Sequence, residues 1–197
     1  MQKIILFVGG SVGADDADGA AAARVANLLE LRTGYAEGVF PTDGLELALR
    51  IARECTGGQG IIASAHAYHG NSAAVAQISS VFTPPEKRGP YVRTIPVIDP
   101  YRERNGRDDE SLSSAYAQDV KQAIDDFTRK GVKFAGLLIC TAYSSEGLPT
   151  VPAGYLAKVV KIVHDAGGLF IADEVQAGFG RFGSRLRMEK SASLLTT

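Results

Sequence analysis

Residues 134–174 read FAGLLICTAYSSEGLPTVPAGYLAKVVKIVHDAGGLFIADE, and this stretch decides the fold. Phe134 to Thr141 is almost wholly apolar (Ala135, Leu137, Leu138, Ile139), the pattern of a strand buried on both faces. Leu156, Val159, Val160 and Val163 then recur at helical spacing, and Gly167-Gly168 closes that helix. A second buried strand, Leu169 to Ala172, follows at once. Strand, helix and strand joined by tight glycine turns make a βαβ crossover. The spacing therefore predicts an α/β fold with a mostly parallel sheet flanked by helices.

The same alternation extends towards the amino terminus. Lys3 to Val8 reads as a strand that stops at Gly9-Gly10, and the Ala-rich run Asp18 to Arg32 reads as a helix with Val25, Leu28 and Leu29 on one face. From Asp43 to Cys55, the residues Leu45, Ala48, Leu49, Ala52 and Cys55 share a helical face, and Asp43 with Glu46 forms a capping box. Gly57-Gly58 ends that helix and Ile61-Ile62 begins the next strand. Between residues 84 and 107, Pro84-Pro85, Gly89-Pro90, Pro100 and clustered charges mark a surface excursion with one strand, Val92 to Val97, inside it. Tyr116, Val120, Ala123, Ile124 and Phe127 then define a helix whose other side carries Asp119, Lys121, Asp125, Asp126 and Arg129.

Composition narrows the function classes. The 197 residues carry 21 Lys+Arg against 22 Asp+Glu, a net charge of −1, with 45% hydrophobic and 22% charged residues. Such a chain can bury a core, and its near-neutral balance gives no footing for nucleic acid. The apolar run Ile4 to Val8 is too short for a membrane span or a signal peptide, so a cytoplasmic protein without membrane contact is expected. Cys55 and Cys140 have no metal-ligand spacing and read as buried core thiols. Gly9-Gly10-Ser11-Val12-Gly13 matches neither a dinucleotide fingerprint nor a phosphate-binding loop with its Lys-Ser/Thr.

Ligands of an open parallel sheet bind beyond the carboxyl ends of its strands. Asp173-Glu174 stands at such an end, directly after four apolar residues. A carboxylate there is partly desolvated, which is costly unless it meets a positive partner. An N-cap for the next segment, or a salt bridge, is the simplest use for it. The residues around it point further. Gly168 to Gly183, GLFIADEVQAGFGRFG, resembles the signature of class III aminotransferases, pyridoxal-phosphate enzymes of fold type I.

That resemblance assigns roles residue by residue. It implies that Asp173 pairs with the protonated pyridine nitrogen of pyridoxal 5′-phosphate, keeping the ring an electron acceptor. It implies that Val175 packs on one ring face and that Gln176 bonds the phenolic oxygen. Ala67-Tyr68-His69-Gly70 is similar to the family's A-Y-H-G segment, which makes Tyr68 the aromatic that stacks on the other face, with His69 fixing the loop. His66 and His164 are left as surface or structural residues. The helix from Asp43 to Arg53 resembles the one after the family's phosphate-binding turn, which assigns Thr42 to the phosphate; Pro41, without an amide hydrogen, stands where the family has glycine. Leu137 to Gly147 resembles the strand that usually ends in an acidic residue, and Thr141 occupies that place. Tyr155 fits the family's next helix as a packing residue.

The family's Schiff-base lysine follows a further strand beyond the aspartate. Lys190 is the sole lysine after Asp173 and stands in a polar tail without that context, so no catalytic residue is assigned. The implied organisation is a poorly matched segment 1–41, a partial cofactor-binding large domain 42–183, and a diverged tail 184–197, the whole cut off before the lysine. The resemblance implies transfer of an amino group from a small-molecule amino donor to a 2-oxo acid or aldehyde acceptor. The intact family works as homodimers, and this chain alone is expected to be inactive. The alternative is a non-catalytic remnant that binds the cofactor weakly or associates with a full-length homologue.

Overall fold

The computed structural model describes residues 4–7, 44–178 and 180–183. Five strands, β1 (Ile4–Phe7), β2 (Gly60–Ser64), β3 (Val92–Ile95), β4 (Phe134–Cys140) and β5 (Leu169–Asp173), form one sheet in the order β1-β5-β4-β2-β3. Every pairing is parallel, as the βαβ reading requires. Three helices cover the sheet: α1 (Gly44–Thr56), α2 (Asp109–Arg129) and α3 (Tyr155–Asp165).

The sheet faces separate into two cores. Leu45, Ala48, Leu49 and Ala52 of α1 lie over Ile61, Ala63, Leu138, Leu169 and Ile171. On the opposite face, Leu112, Tyr116, Val120 and Phe127 of α2 and Leu156, Val159, Val160 and Val163 of α3 cover Ile62, Leu137, Ile139, Phe170 and Ala172. Alternate residues of β5 thus serve different faces, as a pleated strand dictates. On β4 the register against β2 slips by one residue between Phe134 and Gly136, and Ala135 accordingly falls on the α1 side with Leu138. Gly136 is required here, because a Cβ on it would sit 2.5 Å from the Leu169 carbonyl oxygen of the adjacent strand.

Several boundaries differ from the expectations, each for a visible reason. β3 stops at Ile95 rather than Val97, because Pro96 has no N–H to extend the ladder. α2 begins at Asp109, within the charged stretch, because Asp108 caps it: its side chain accepts from Ser111 N–H at 2.8 Å. The excursion also contains single helical turns at Pro85–Lys87 and Pro100–Glu103. Cys140 is buried, and burial pushes its thiol pKa up, but Cys55 is exposed. Burial along α1 ends at Ala52, so the last turn stands clear of the core even though Cys55 keeps the helical spacing. Asp43, Thr42 and Pro41, the helix expected at 18–32, the loop 9–13 and Lys190 lie outside the described residues. Glu46, the partner of Asp43 in the expected capping box, accepts a hydrogen bond from Ser72 Oγ.

One ion-pair cluster ties α2 to the edge strand. Asp126 accepts from Arg93 Nε of β3 at 2.6 Å and pairs with Arg129 and Lys130 at 3.1 Å each. These three cations hold its carboxyl well below the usual carboxylate range, while the Arg93 guanidinium also lies 4.7 Å from the Phe127 ring centroid. A depressed folded-state pKa contributes stability above the unfolded pKa, and that contribution is lost as pH falls towards the folded value. Asp126→Asn is therefore expected to lower Tm at neutral pH. The difference from the parent should narrow as the pH drops below about 4. Thermal melts of both proteins between pH 2 and 8 check this, and a gap that stays constant across that range contradicts it.

Candidate functional site

Asp173 is the last residue of β5 and is buried, its side chain only 6% exposed. Its Oδ1 accepts from the Val175 N–H at 3.0 Å, an Asx-type turn that swings the chain off the strand. Its Oδ2 lies 2.8 Å from His69 Nδ1. The turn-capping use of Asp173 is therefore real, and it engages only one of the two oxygens.

His69 comes from the loop after β2, two strands away from β5, and this loop is fastened firmly. The His69 N–H donates to Ser79 Oγ at 3.0 Å, Ser79 Oγ donates to the Gly70 carbonyl at 2.7 Å, and the Ala67 N–H donates to Ser80 Oγ at 2.9 Å. His66 turns the loop with φ +64° and Gly70 with φ +120°. Across the top of β4 this loop carries His69 to Asp173. It brings Tyr68, one residue earlier, to the same end of the sheet. His69 is buried, and its Nε2 has no hydrogen-bond partner among the described residues. With Nδ1–H donating to the carboxylate, Nε2 is left as an acceptor.

Around this buried pair stand exposed apolar surfaces. Tyr68 is 47% and Val175 44% exposed, and the Tyr68 ring meets Phe82 edge-on at 5.5 Å. Gln176 is exposed and lines a cavity of about 520 Å³ with Ser144, Leu148 and Arg181. Thr141 does not face solvent: its hydroxyl donates to Glu174 Oε1 at 2.9 Å, and both residues are fully buried. Tyr155 packs in the core as expected and accepts from the Tyr143 hydroxyl at 3.2 Å.

The residues 38–192 match the family profile described as Aminotransferase class-III. The chain belongs to that family.

Relatives within the class III aminotransferases agree. An alanine–glyoxylate aminotransferase 2-like protein of Drosophila melanogaster is 37% identical over 145 residues, covering 71% of this chain and 29% of the relative. A phospholyase from Arthrobacter, solved in complex with phosphoethanolamine, superposes with a TM-score of 0.68 at 37% identity, covering 76% of this chain and 35% of that one. A taurine:2-oxoglutarate aminotransferase from Bifidobacterium kashiwanohense, solved with PLP and glutamate, has the same fold at 22% identity, with a TM-score of 0.71 and coverage of 90% and 41%. The chain thus spans about a third of the length of the relatives it matches. Its α/β architecture is that of fold type I transaminases, and class III aminotransferases use pyridoxal phosphate.

The donor set of this class III chain fits the ring of that cofactor. A carboxylate offers about four lone-pair positions, and Asp173 spends one on Val175 N–H and one on His69. It keeps acceptor capacity for a protonated ring nitrogen. His69 fastens Asp173 to the loop after β2, where the sequence reading had it only fixing that loop. The signal was available: Tyr68-His69 and Asp173 both follow parallel strands, so both lie at one sheet edge. Thr141 and Glu174 are linked for the same reason, being the residues after the registered pair Cys140 and Asp173.

Proposed function

We propose that residues 42–183 form part of the cofactor-binding large domain of an aminotransferase, flanked by the segments 1–41 and 184–197. The observation that carries this is the buried His69–Asp173 pair at the carboxyl end of β5. Asp173 holds the proton at the pyridine nitrogen, and His69 holds Asp173 in place. Tyr68 and Val175 cover the two ring faces and exclude water from them, Gln176 orients the phenolic oxygen, and Thr42 takes the phosphate. When bound, the cofactor supplies an electron sink that makes the carbon next to the amino group acidic. The whole protein, on this reading, moves an amino group from an amine or amino acid to a 2-oxo acid or aldehyde as a homodimer, without nucleic acid or membrane as a partner. No helix among the described residues is long and apolar enough to cross a membrane. A cytoplasmic setting agrees with Cys55 and Cys140, both free thiols.

The covalent step needs a lysine that the motif does not place within these 197 residues, so a polypeptide of this sequence alone is expected to hold the cofactor without turnover. Borohydride reduction of the mixture followed by peptide mapping tests this. The expected result is no single lysine labelled and no amino transfer to a 2-oxo acid. One lysine labelled stoichiometrically, together with turnover, overturns it.

A further inference from the structure

Two cavities open among the loops at the carboxyl end of the sheet, and their charges differ in kind. The larger, about 740 Å³, is lined by Asp99, Arg102, Arg104 and Glu146. Both of its arginines are paired, Arg102 with Asp99 and Arg104 with Asp109, and of its carboxylates Glu146 accepts from Ser64 Oγ through one oxygen while the other, buried, has no partner among the described residues. The smaller cavity, between the loops after β4 and β5, is lined by Ala142, Ser144, Ser145, Leu148, Gln176 and Arg181, with Phe182 beside them. Among the described residues its lining holds one cation, two hydroxyls, one amide and no carboxylate. The Arg181 guanidinium makes no hydrogen bond or ion pair with any described residue. Glu174, the nearest acidic residue in sequence, is buried and turned to Thr141.

The wall of this cavity is built rather than incidental. Tyr143 (φ +51°) and Leu148 (φ +54°) bracket it in left-handed conformations that non-glycine residues hold only where the surroundings impose them. The Tyr143 carbonyl accepts from the N–H groups of Glu146 and Leu148 at 3.2 and 2.9 Å, and its hydroxyl is tied to Tyr155. Ser144 and Ser145 are thereby presented on a fixed turn opposite Gln176 and Arg181.

We propose that this cavity is the subsite for the anionic end of the substrate, a carboxylate or phosphate on a short amine, with Arg181 as its principal contact and Ser144 and Ser145 as hydroxyl donors. This rests on the cofactor reading, because Gln176 joins the cavity to the ring's phenolic oxygen. A guanidinium donates two parallel hydrogen bonds to such an oxyanion, and apolar Ala142 and Leu148 suit the short carbon chain.

Inorganic phosphate and acetate, titrated separately into the full chain at constant ionic strength, test it by backbone amide NMR. Saturable shifts at Ser144, Ser145, Gln176 and Arg181 are expected with both anions, and with phosphate a second, Arg181-independent set around Thr42. Arg181→Gln should weaken the first set at least tenfold, and Arg181→Lys, which keeps charge but loses the fork, by less. Arg181 is exposed, so neither variant should disturb the fold, which circular dichroism checks. Shifts of the first set that persist unchanged in Arg181→Gln, or that rise linearly over all basic surfaces, overturn the proposal. Pyridoxal, which carries the ring without the phosphate, separates the two readings. Pyridoxal binding indifferent to Asp173→Asn, beside an Arg181-dependent oxyanion response, sinks the cofactor reading and leaves the oxyanion site standing.

Discussion

Asp173→Asn is expected to weaken pyridoxal phosphate binding by about 10- to 150-fold, the equivalent of the 1.5–3 kcal/mol that a hydrogen bond to a charged group contributes. The fold should survive. The asparagine carbonyl can still accept from the Val175 N–H, the bond that turns the chain off β5. Its amide can donate to His69 Nδ1 once the imidazole takes the other tautomer. What is removed is the negative charge facing a protonated ring nitrogen. Titration of the parent and the variant with the cofactor, followed by its visible absorbance, measures the ratio. Equal affinities would mean that the buried His69–Asp173 pair is only a structural tie between the loops after β2 and β5.

The largest expected stability effect belongs to Phe170→Ala, a loss of about 3–5 kcal/mol. Phe170 is fully buried on β5, a strand paired on both sides, and belongs to the core that α2 and α3 cover. Truncation removes the transfer energy of the ring and leaves a cavity. The surroundings cannot close it by moving β5 towards β4, because Gly136 already lies against the Leu169 carbonyl. Tyr101, 92% exposed, provides the comparison, and its replacement by alanine should change stability by no more than about 0.5 kcal/mol. Urea unfolding of the two variants beside the parent separates the effects. Similar midpoints for both would contradict the two-sided packing of the sheet.

Much of this structure was legible in the sequence because burial on both faces leaves a simple trace. Phe134 to Thr141 and Leu169 to Ala172 are so uniformly apolar that a parallel sheet was the economical reading, and the structure extends β5 by only one residue, Asp173. The helical stripe at Leu156, Val159, Val160 and Val163 was equally clear. Ends set by a single local contact were harder. The start of α2 depends on Asp108, one carboxylate among many charges, and Pro96 truncates β3 inside an otherwise alternating run. Cys55 shows where periodicity misleads, since spacing says which way a residue faces and not whether anything covers it.

The site divides along the same line. Asp173 stood out as a carboxylate after an apolar strand end, where burial is costly, and the motif around it supplied the proposed role; the structure shows it buried and bonded to His69. Tyr68, Val175 and Gln176 followed from their neighbours in the family motif, and the structure places all of them at the sheet end where Asp173 stands, Thr42 lying outside the described residues. His69 needed the fold itself, because its contact with Asp173 spans 104 residues of sequence and passes over β4. Arg181, without a partner among the described residues, needed it too, since only the geometry shows that the described lining of its cavity is hydroxyls, an amide and this cation.

The central claim is that Asp173, backed by His69, holds a proton on the pyridine nitrogen of pyridoxal phosphate. The ¹⁵N resonance of cofactor labelled at the ring nitrogen, recorded on the chain from pH 6 to 9, tests it most directly. A protonated-nitrogen shift that persists across that range in the parent, and collapses to that of the free cofactor in Asp173→Asn, is the predicted result. A ring nitrogen that titrates in the parent as it does in free solution would contradict the account.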